Sequence, residues 1–156
     1  MRTCQKAGHR VEVRVVNIDL WKDEYLIGVD KIDQQHKILF GMLGDLLRLR
    51  ESVGSINERV AKLSSVVEHL NNYAVYHFRT EEILMDRDLA KDISVVAHKE
   101  AHKSYANSMQ GFEGRFQAGD ASAVNDLIDF IYKWWLEHIL ETDKGLGKAL
   151  NKAGVY

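Results

Sequence analysis

The chain has 156 residues, of which 28% are charged and 46% are apolar, and its formal net charge is −2. This length suits one domain with one core. The small net charge gives no reason to expect nucleic acid or an anionic membrane as partner, and no apolar run reaches the roughly 20 residues that span a bilayer. The first residues lack the apolar stretch of a secretory signal, and the single cysteine cannot form an internal disulfide. We therefore expect a cytoplasmic protein.

The N-terminal segment differs in pattern from the rest of the chain. Val11, Val13 and Val15 alternate with charged residues, which is the period of a β-strand. Because a single strand without a partner is marginal, we predict an extended arm at 1–20, followed by a bundle domain at 21–156. Two states of the arm remain open: disorder or loose packing, and pairing with the arm of a second copy.

Helical periodicity begins after the arm, and the chain has no proline to interrupt it. Apolar residues spaced three and four apart predict a first helix at about 33–51, with Gly54 just past its end. A second helix is predicted from Ser55 to about Met85, where Ser55 and Glu58 form a capping-box pattern.

The same spacing predicts two further helices. The third covers about 92–118 and is ended by Gly119, and the fourth is capped by Asp120 and reaches about Ala149. Short connections make consecutive helices antiparallel. The predicted fold is therefore all-α, an up-down-up-down four-helix bundle with an extended N-terminal arm.

Polar side chains interrupt the apolar stripes of all four predicted helices. A lone histidine on such a stripe is usually a hydrogen-bonded core residue. Here six polar residues share this placement, while His69 lies beside its stripe and His9 lies in the arm. Each unpaired buried polar group costs about 1–3 kcal/mol, and a whole domain is stable by only about 5–15 kcal/mol. A shared metal centre would satisfy the whole set, which is His36, His77, Glu81, His98, His102 and His138.

The spacing within helices supports metal binding but leaves one position open. His77 with Glu81, and His98 with His102, are four residues apart and share a helix face. On the fourth helix, Asp143 lies about 140° around an ideal α-helix from His138, whereas Glu141 lies only about 60° away. Helix geometry alone slightly favours Glu141, and it does not decide between the two carboxylates.

The order of these residues resembles the pattern of the hemerythrin family. That pattern is a lone histidine, then HxxxE, HxxxH and HxxxxD, and the similarity covers about residues 20–150, including Trp21 and the Gly28–Asp30 segment before the first histidine. The resemblance implies Asp143, not Glu141, as the last ligand. The implied metal ligands are His36, His77, Glu81, His98, His102, His138 and Asp143.

The resemblance also implies the cofactor and the partner. Two non-haem iron ions would be bridged by an oxo or hydroxo group and by the carboxylates of Glu81 and Asp143. Three histidines would saturate one iron, and His36 and His77 would bind the other. Eleven donor atoms for two octahedral ions leave one open position, where dioxygen would bind. The implied function is reversible dioxygen binding for storage, transport or delivery, with no catalytic residue.

Two further features favour carrying dioxygen over activating it. The chain has no Glu-x-x-His motif of the kind that di-iron carboxylate proteins use. From spacing alone, we expect the site to be enclosed by apolar neighbours, which are Leu39, Phe40, Ile83, Trp135 and Ile139.

Other functions fit the pattern less well. A histidine phosphotransfer module needs one exposed histidine, a zinc site needs four ligands and not seven, and a purely structural bundle does not need buried imidazoles. Within the hemerythrin fold, oxygen or redox sensing, or the handling of iron, nitric oxide or peroxide, is the alternative. This chain carries no signalling domain, which favours storage or delivery; a downstream partner is not identified by the sequence.

Overall fold

The structure is a computed structural model that describes residues 20–51, 56–120 and 122–156, with side chains given from residue 62 onward in the second range. Three predictions rest on residues or side chains outside these ranges, wholly or in part: the extended arm, the end of the first helix at Gly54, and the Ser55–Glu58 capping box. The described residues contain helices and no strand.

The predicted all-α, up-down-up-down four-helix bundle is confirmed. A short 3₁₀ helix at Asp23–Tyr25 precedes it. The bundle helices begin and end close to their predicted bounds, and the fourth is built from three consecutive segments. The elements are α1 (Asp30–Glu51), α2 (Ile56–Asp88), α3 (Ser94–Gln117), α4 (Ala123–Glu137), a π-helical segment (His138–Asp143) and α5 (Lys144–Lys152).

Helix α1 begins three residues before the predicted start because of the segment that leads into it. The Asp33 carboxylate accepts hydrogen bonds from the backbone N–H groups of Ile27 and Gly28, at 2.7 and 3.1 Å. These bonds satisfy backbone donors just outside the helix and fix the direction in which the chain enters it. Asp33 is therefore a buried residue of the first turn and not the start of the helix.

The turn between α3 and α4 confirms one expectation and corrects another. Gly119 has φ +75° and ends α3, as predicted, with Asp120 N–H donating to Arg115 O at 3.0 Å. Asp120 is not the N-cap of α4, because Ser122 holds that position and the helix begins at Ala123. The Asp120 carboxylate instead accepts hydrogen bonds from the Ser122 backbone N–H at 2.9 Å and from Arg115 Nε at 2.7 Å.

We predicted that the fourth helix of the bundle is one uninterrupted α-helix, and this prediction is wrong. Between α4 and α5 the backbone is π-helical from His138 to Asp143. In a π-helix the hydrogen bonds join residues five apart, so these two residues lie on nearly the same face. Both side chains are buried as a result, at 5% and 0% exposure.

The core is divided into two apolar clusters with a polar layer between them. A small cluster lies at one end, and the main cluster fills the rest of the bundle from Tyr25, Leu39 and Phe40 to Trp135 and Ile139. Along each helix, the predicted metal-binding residues lie where the members of one cluster give way to those of the other. The small cluster consists of Ile27, Val29, Ile32, Met85, Val95, Leu146 and Leu150.

Helix α5 closes the small-cluster end by packing against the segment before α1. Lys144 Nζ donates to Leu26 O at 2.7 Å, and Asn151 Nδ2 donates to Gly28 O at 2.7 Å. Gly147 allows this close approach, because a Cβ at that position would lie 2.2 Å from Ile27 O. Among the helices in the described ranges, none is both long and apolar enough to cross a membrane.

The contact at Gly147 leads to a stability prediction. Gly147→Ala should lower the free energy of unfolding by about 1–3 kcal/mol, because the new methyl group must push the Ile27 backbone away. Gly145→Ala is the matched control on the same helix, where a Cβ would meet nothing within 4 Å. It should leave stability unchanged or raise it by up to about 1 kcal/mol. Urea titration measures both, and equal effects would contradict the packing of α5.

Candidate metal centre

All seven residues predicted from the sequence come together in the polar layer. Helix α1 contributes one histidine, α2 a histidine and a glutamate, α3 two histidines, and the π-helical segment its first and last residues. Each side chain is at most 5% exposed. The group comprises His36, His77, Glu81, His98, His102, His138 and Asp143.

The Glu81 carboxylate lies between two sets of imidazoles. Its Oε2 atom is 3.2 Å from His102 Nε2 and 3.3 Å from His98 Nε2. Its Oε1 atom lies on the other side, 3.5 Å from His77 Nε2. One oxygen therefore faces the histidines of α3, and the other faces the histidine of α2.

Asp143 repeats this arrangement from the opposite side of the bundle. Its Oδ1 atom is 3.1 Å from His138 Nε2 and 3.3 Å from His98 Nε2, and its Oδ2 atom is 3.2 Å from His36 Nε2. Each carboxylate thus offers one oxygen to a three-histidine side and one to a two-histidine side. Two carboxylates placed in this way can bridge two cations.

The donor atoms form two groups that could each hold a metal ion. Within each group the atoms lie within 4.8 Å of one another; one group is Glu81 with three histidines, and the other is both carboxylates with two histidines. His102 Nε2 and His138 Nε2 are only 3.2 Å apart. Imidazole nitrogens and carboxylate oxygens that converge in this way fit the donor set of a cation site.

Most of these atoms have no hydrogen-bond partner among the described residues. Both oxygens of Glu81 and of Asp143 are unsatisfied, and so are the Nε2 atoms of His36, His77 and His98. Buried polar atoms are nearly always hydrogen-bonded, and an unpaired one costs about 1–3 kcal/mol. Seven such atoms around one space fit bound metal ions.

Electrostatics keep both carboxylates ionised. Burial acts to raise their pKa values, but the surrounding histidines have the larger effect. Burial and the charge of Asp143 act to raise the pKa of Glu81, but His77, His102 and His98 together lower it to about 2. The pKa of Asp143 lies well below its ordinary value, chiefly through His138. Both groups are therefore in the form that binds a cation.

The histidines differ according to their surroundings. Burial lowers the pKa of His77 to about 4, so this imidazole is neutral and its lone pair is free. Burial also acts to lower the pKa of His98, but contacts with Asp143 and Glu81 raise it to about 9. The site therefore contains imidazoles with unequal affinity for a proton.

Three residues that the sequence did not single out support the imidazoles from outside. His77 Nδ1 lies 3.0 Å from Gln35 Oε1, and Gln35 Nε2 donates to Thr80 Oγ1 at 3.1 Å. His102 Nδ1 lies 3.0 Å from Glu82 Oε1. Gln35 and Thr80 are 45 residues apart, and no local pattern indicates that they meet.

Aromatic rings form part of the wall. Phe78 stacks on His102 with ring centroids 4.0 Å apart, and Trp134 stacks on His138 at 4.3 Å. Neither Phe78 nor Trp134 was among the neighbours we expected. The Trp135 ring, which was expected, lies 5.6 Å from that of His77.

Four of the five expected apolar neighbours are buried, and the prediction for the fifth, Ile83, is wrong. Leu39, Phe40, Trp135 and Ile139 are at most 4% exposed, whereas Ile83 is 56% exposed. Ile83 follows Glu81 by two residues, which is about 200° around an α-helix, so an inward Glu81 turns Ile83 outward.

The structure also distinguishes the two carboxylates that helix geometry left open. Asp143 points into the cluster, while Glu141 is exposed to solvent. The estimate of 140° assumed α-helical geometry, and the π-helical segment removes that offset. His69 is exposed, as its position beside the stripe predicted, and its Nδ1 atom lies 2.8 Å from Ser65 O.

Comparison with known proteins identifies related sequences. Residues 27–150 match the sequence model of the hemerythrin HHE cation binding domain. The chain is 29% identical to a bacteriohemerythrin of Clostridium acetobutylicum over 80% of its length and 95% of that protein. It is 30% identical to a bacteriohemerythrin of Pseudomonas aeruginosa over 84% of its own length and 80% of that protein. It is 28% identical to myohemerythrin-1 of Phascolopsis gouldii over 80% of its own length and 87% of that protein. The chain belongs to the hemerythrin family.

Proposed function

We propose that the seven clustered residues hold two iron ions and that the protein binds dioxygen reversibly at this centre. One observation carries the proposal: Glu81 and Asp143 each direct one oxygen to a three-histidine side and the other to a two-histidine side. Membership of the hemerythrin family supports it.

The donor set is unequal on the two sides, and this inequality creates the binding position. Two carboxylate oxygens and the imidazoles of His98, His102 and His138 make five donors on one side. Two carboxylate oxygens with His36 and His77 make four on the other. With a solvent-derived bridge, two six-coordinate ions held by these residues would be saturated on the first side and would keep one position open on the second. When bound, a ferrous pair supplies that vacant position and the electrons for reversible dioxygen binding.

The chemistry of the donors favours iron over zinc. Imidazole suits zinc, copper, iron and nickel, so the histidines alone do not select among them. Zinc in proteins is almost always four-coordinate at structural sites, whereas nine protein donor atoms converge here on two neighbouring positions. Donors in this number suit six-coordinate ions.

The protein excludes water from the two-histidine side. Leu39 and Phe40 follow His36 by one helical turn, and Trp135 lies against His77. With Leu43 these side chains border an apolar gap too small to hold a water molecule. Exclusion of water slows oxidation of a ferrous pair, which is a requirement for reversible binding.

We further propose storage or delivery of dioxygen as the physiological role. Every proposed ligand lies on a helix and none on a connecting loop, so the centre is held rigidly on both sides. A rigid, enclosed site suits binding and release of a small molecule without turnover. Slow autoxidation of the oxygenated protein would support this role, and oxidation within seconds would favour oxygen or redox sensing.

Metal content is the first test. Protein purified from an iron-replete culture should contain about two irons per chain. Its optical spectrum should change on exposure to air and return on removal of dioxygen under argon. One zinc and no iron per chain would contradict the proposal.

A pair of histidine variants tests the two-histidine side. His77→Ala should abolish dioxygen binding and release part of the iron, because it removes one of only two imidazoles there. His69→Ala is the matched control on the same helix, since His69 is exposed and its Nδ1 atom lies 2.8 Å from Ser65 O, away from the centre. It should change neither iron content nor the oxygenated spectrum. Similar losses in both variants would show that the effect is not specific to the centre.

A pair of carboxylate variants tests the π-helical segment. Asp143→Ala should disrupt the two-iron centre, because it removes one of the two groups that reach both sides. Glu141→Ala removes an exposed carboxylate two residues away and should leave the oxygenated spectrum nearly intact. Iron analysis and optical spectra measure both variants. Loss of the centre in Glu141→Ala alone would overturn the assignment of Asp143.

A further inference from the structure

We propose that Gln35 and Thr80 are positioning residues that fix the tautomer of His77 and keep it a weaker electron donor than a carboxylate-backed histidine. The inference rests on the proposed function, because it concerns a ligand of the iron that binds dioxygen. It is carried by hydrogen bonds that join α1 to α2 outside the donor set.

The donor and acceptor in each of these hydrogen bonds follow from the last acceptor in the series, the backbone carbonyl of Tyr76. The backbone carbonyl of Tyr76 can only accept, and Thr80 Oγ1 donates to it at 3.0 Å. With its proton committed there, Thr80 Oγ1 accepts the Gln35 Nε2–H at 3.1 Å. The amide oxygen of Gln35 therefore faces His77 Nδ1, at 3.0 Å, and accepts its proton. This leaves the Nε2 atom of His77 unprotonated toward Glu81.

The opposite orientation of the amide would reverse this result. If Gln35 turned its NH₂ group toward His77, Nδ1 would have to accept, and the proton of the neutral imidazole would sit on Nε2. A protonated Nε2 cannot bind a metal. Gln35 is 5% exposed and Thr80 is 7% exposed, so solvent offers little compensation for a broken bond. Thr80 thus selects the amide orientation that leaves His77 ready to bind.

One histidine on each side has an acceptor behind its Nδ1 atom, and the two acceptors differ in charge. His102 Nδ1 faces the carboxylate of Glu82 at 3.0 Å, whereas His77 Nδ1 faces a neutral amide. An anionic acceptor draws the Nδ1 proton more strongly, which raises the basicity of the imidazole and favours ferric iron. The neutral acceptor of His77 therefore favours the ferrous state on the side where dioxygen binds.

Four variants of the full-length iron-loaded protein separate this role from simple packing. Gln35→Glu replaces the neutral acceptor with an anionic one of the same shape. Gln34→Glu is its matched control, since it adds the same charge one residue away at an exposed position. Thr80→Val removes the hydroxyl with little change of side-chain volume. Thr80→Ser is a separate variant that keeps the hydroxyl. The readouts are the midpoint potential, iron retention against a chelator, and the exchangeable Nδ1–H signals of the bound histidines in proton NMR.

Specific shifts are expected in each variant. Gln35→Glu should move the ferrous–ferric balance about tenfold toward ferric, which is about 59 mV in midpoint potential, while Gln34→Glu should leave it unchanged. Thr80→Val should weaken retention of one iron by about 10–100-fold and speed solvent exchange of one Nδ1–H signal. Thr80→Ser should behave as the unmodified protein does.

Other outcomes would overturn the inference. Equal shifts of potential in Gln35→Glu and Gln34→Glu would show that the added charge, and not the hydrogen bond to His77, sets the potential. No shift in Gln35→Glu would show that the acceptor of His77 does not influence it. Wild-type iron retention and NMR signals in Thr80→Val would show that the hydroxyl does not orient the amide. Any of these results in a protein that holds two irons and binds dioxygen leaves the proposed function standing. An unmodified protein without two irons would instead overturn both.

Discussion

The constraint on which the structure depends is the burial of two ionised carboxylates among five imidazoles. Glu81 and Asp143 have no exposed surface, and none of their oxygens has a hydrogen-bond partner among the described residues. Removing an ion from water costs several kcal/mol even after the protein relaxes. A cation shared by all the donors offsets that cost in one step, because each carboxylate oxygen then faces positive charge. The bundle therefore holds, at its centre, a set of groups that fits a bound cation.

The surrounding layers hold the donors in place. The small cluster packs on one side of the polar layer and the main cluster packs on the other. Residues on each helix pass from one apolar cluster through the polar layer into the second, so every helix is anchored on both sides of the site. The approach of Gly147 to Ile27 closes the small-cluster end. Rigid helices then fix the donor positions, which is what preorganised metal binding needs.

Much of this arrangement follows from helical periodicity, and the rest depends on contacts that periodicity does not describe. His36, His77 and His98 were found because side chains four apart share a face, and the same rule gave the four-helix bundle. Ile83 was misplaced because it was chosen by proximity to Glu81 in sequence and not by its angle. The pairing of Gln35 with Thr80 depends on how α1 packs against α2, over 45 residues of separation. No property of either residue alone predicts it.

The π-helical segment shows why one functional residue needed more than helix geometry. Before it, Ile131 and Trp135 keep α-helical spacing and face the core, and after it Leu146 and Leu150 do the same. An α-helix continued through this stretch would place Asp143 about 140° from His138 and turn its carboxylate away from the imidazoles. The extra residue of the π-helix brings both inward while the apolar spacing on each side is kept. Such segments are less stable than the α-helix they interrupt and occur often at functional sites. Here the interruption coincides with the residue that must reach both sides of the centre, which accounts for its position.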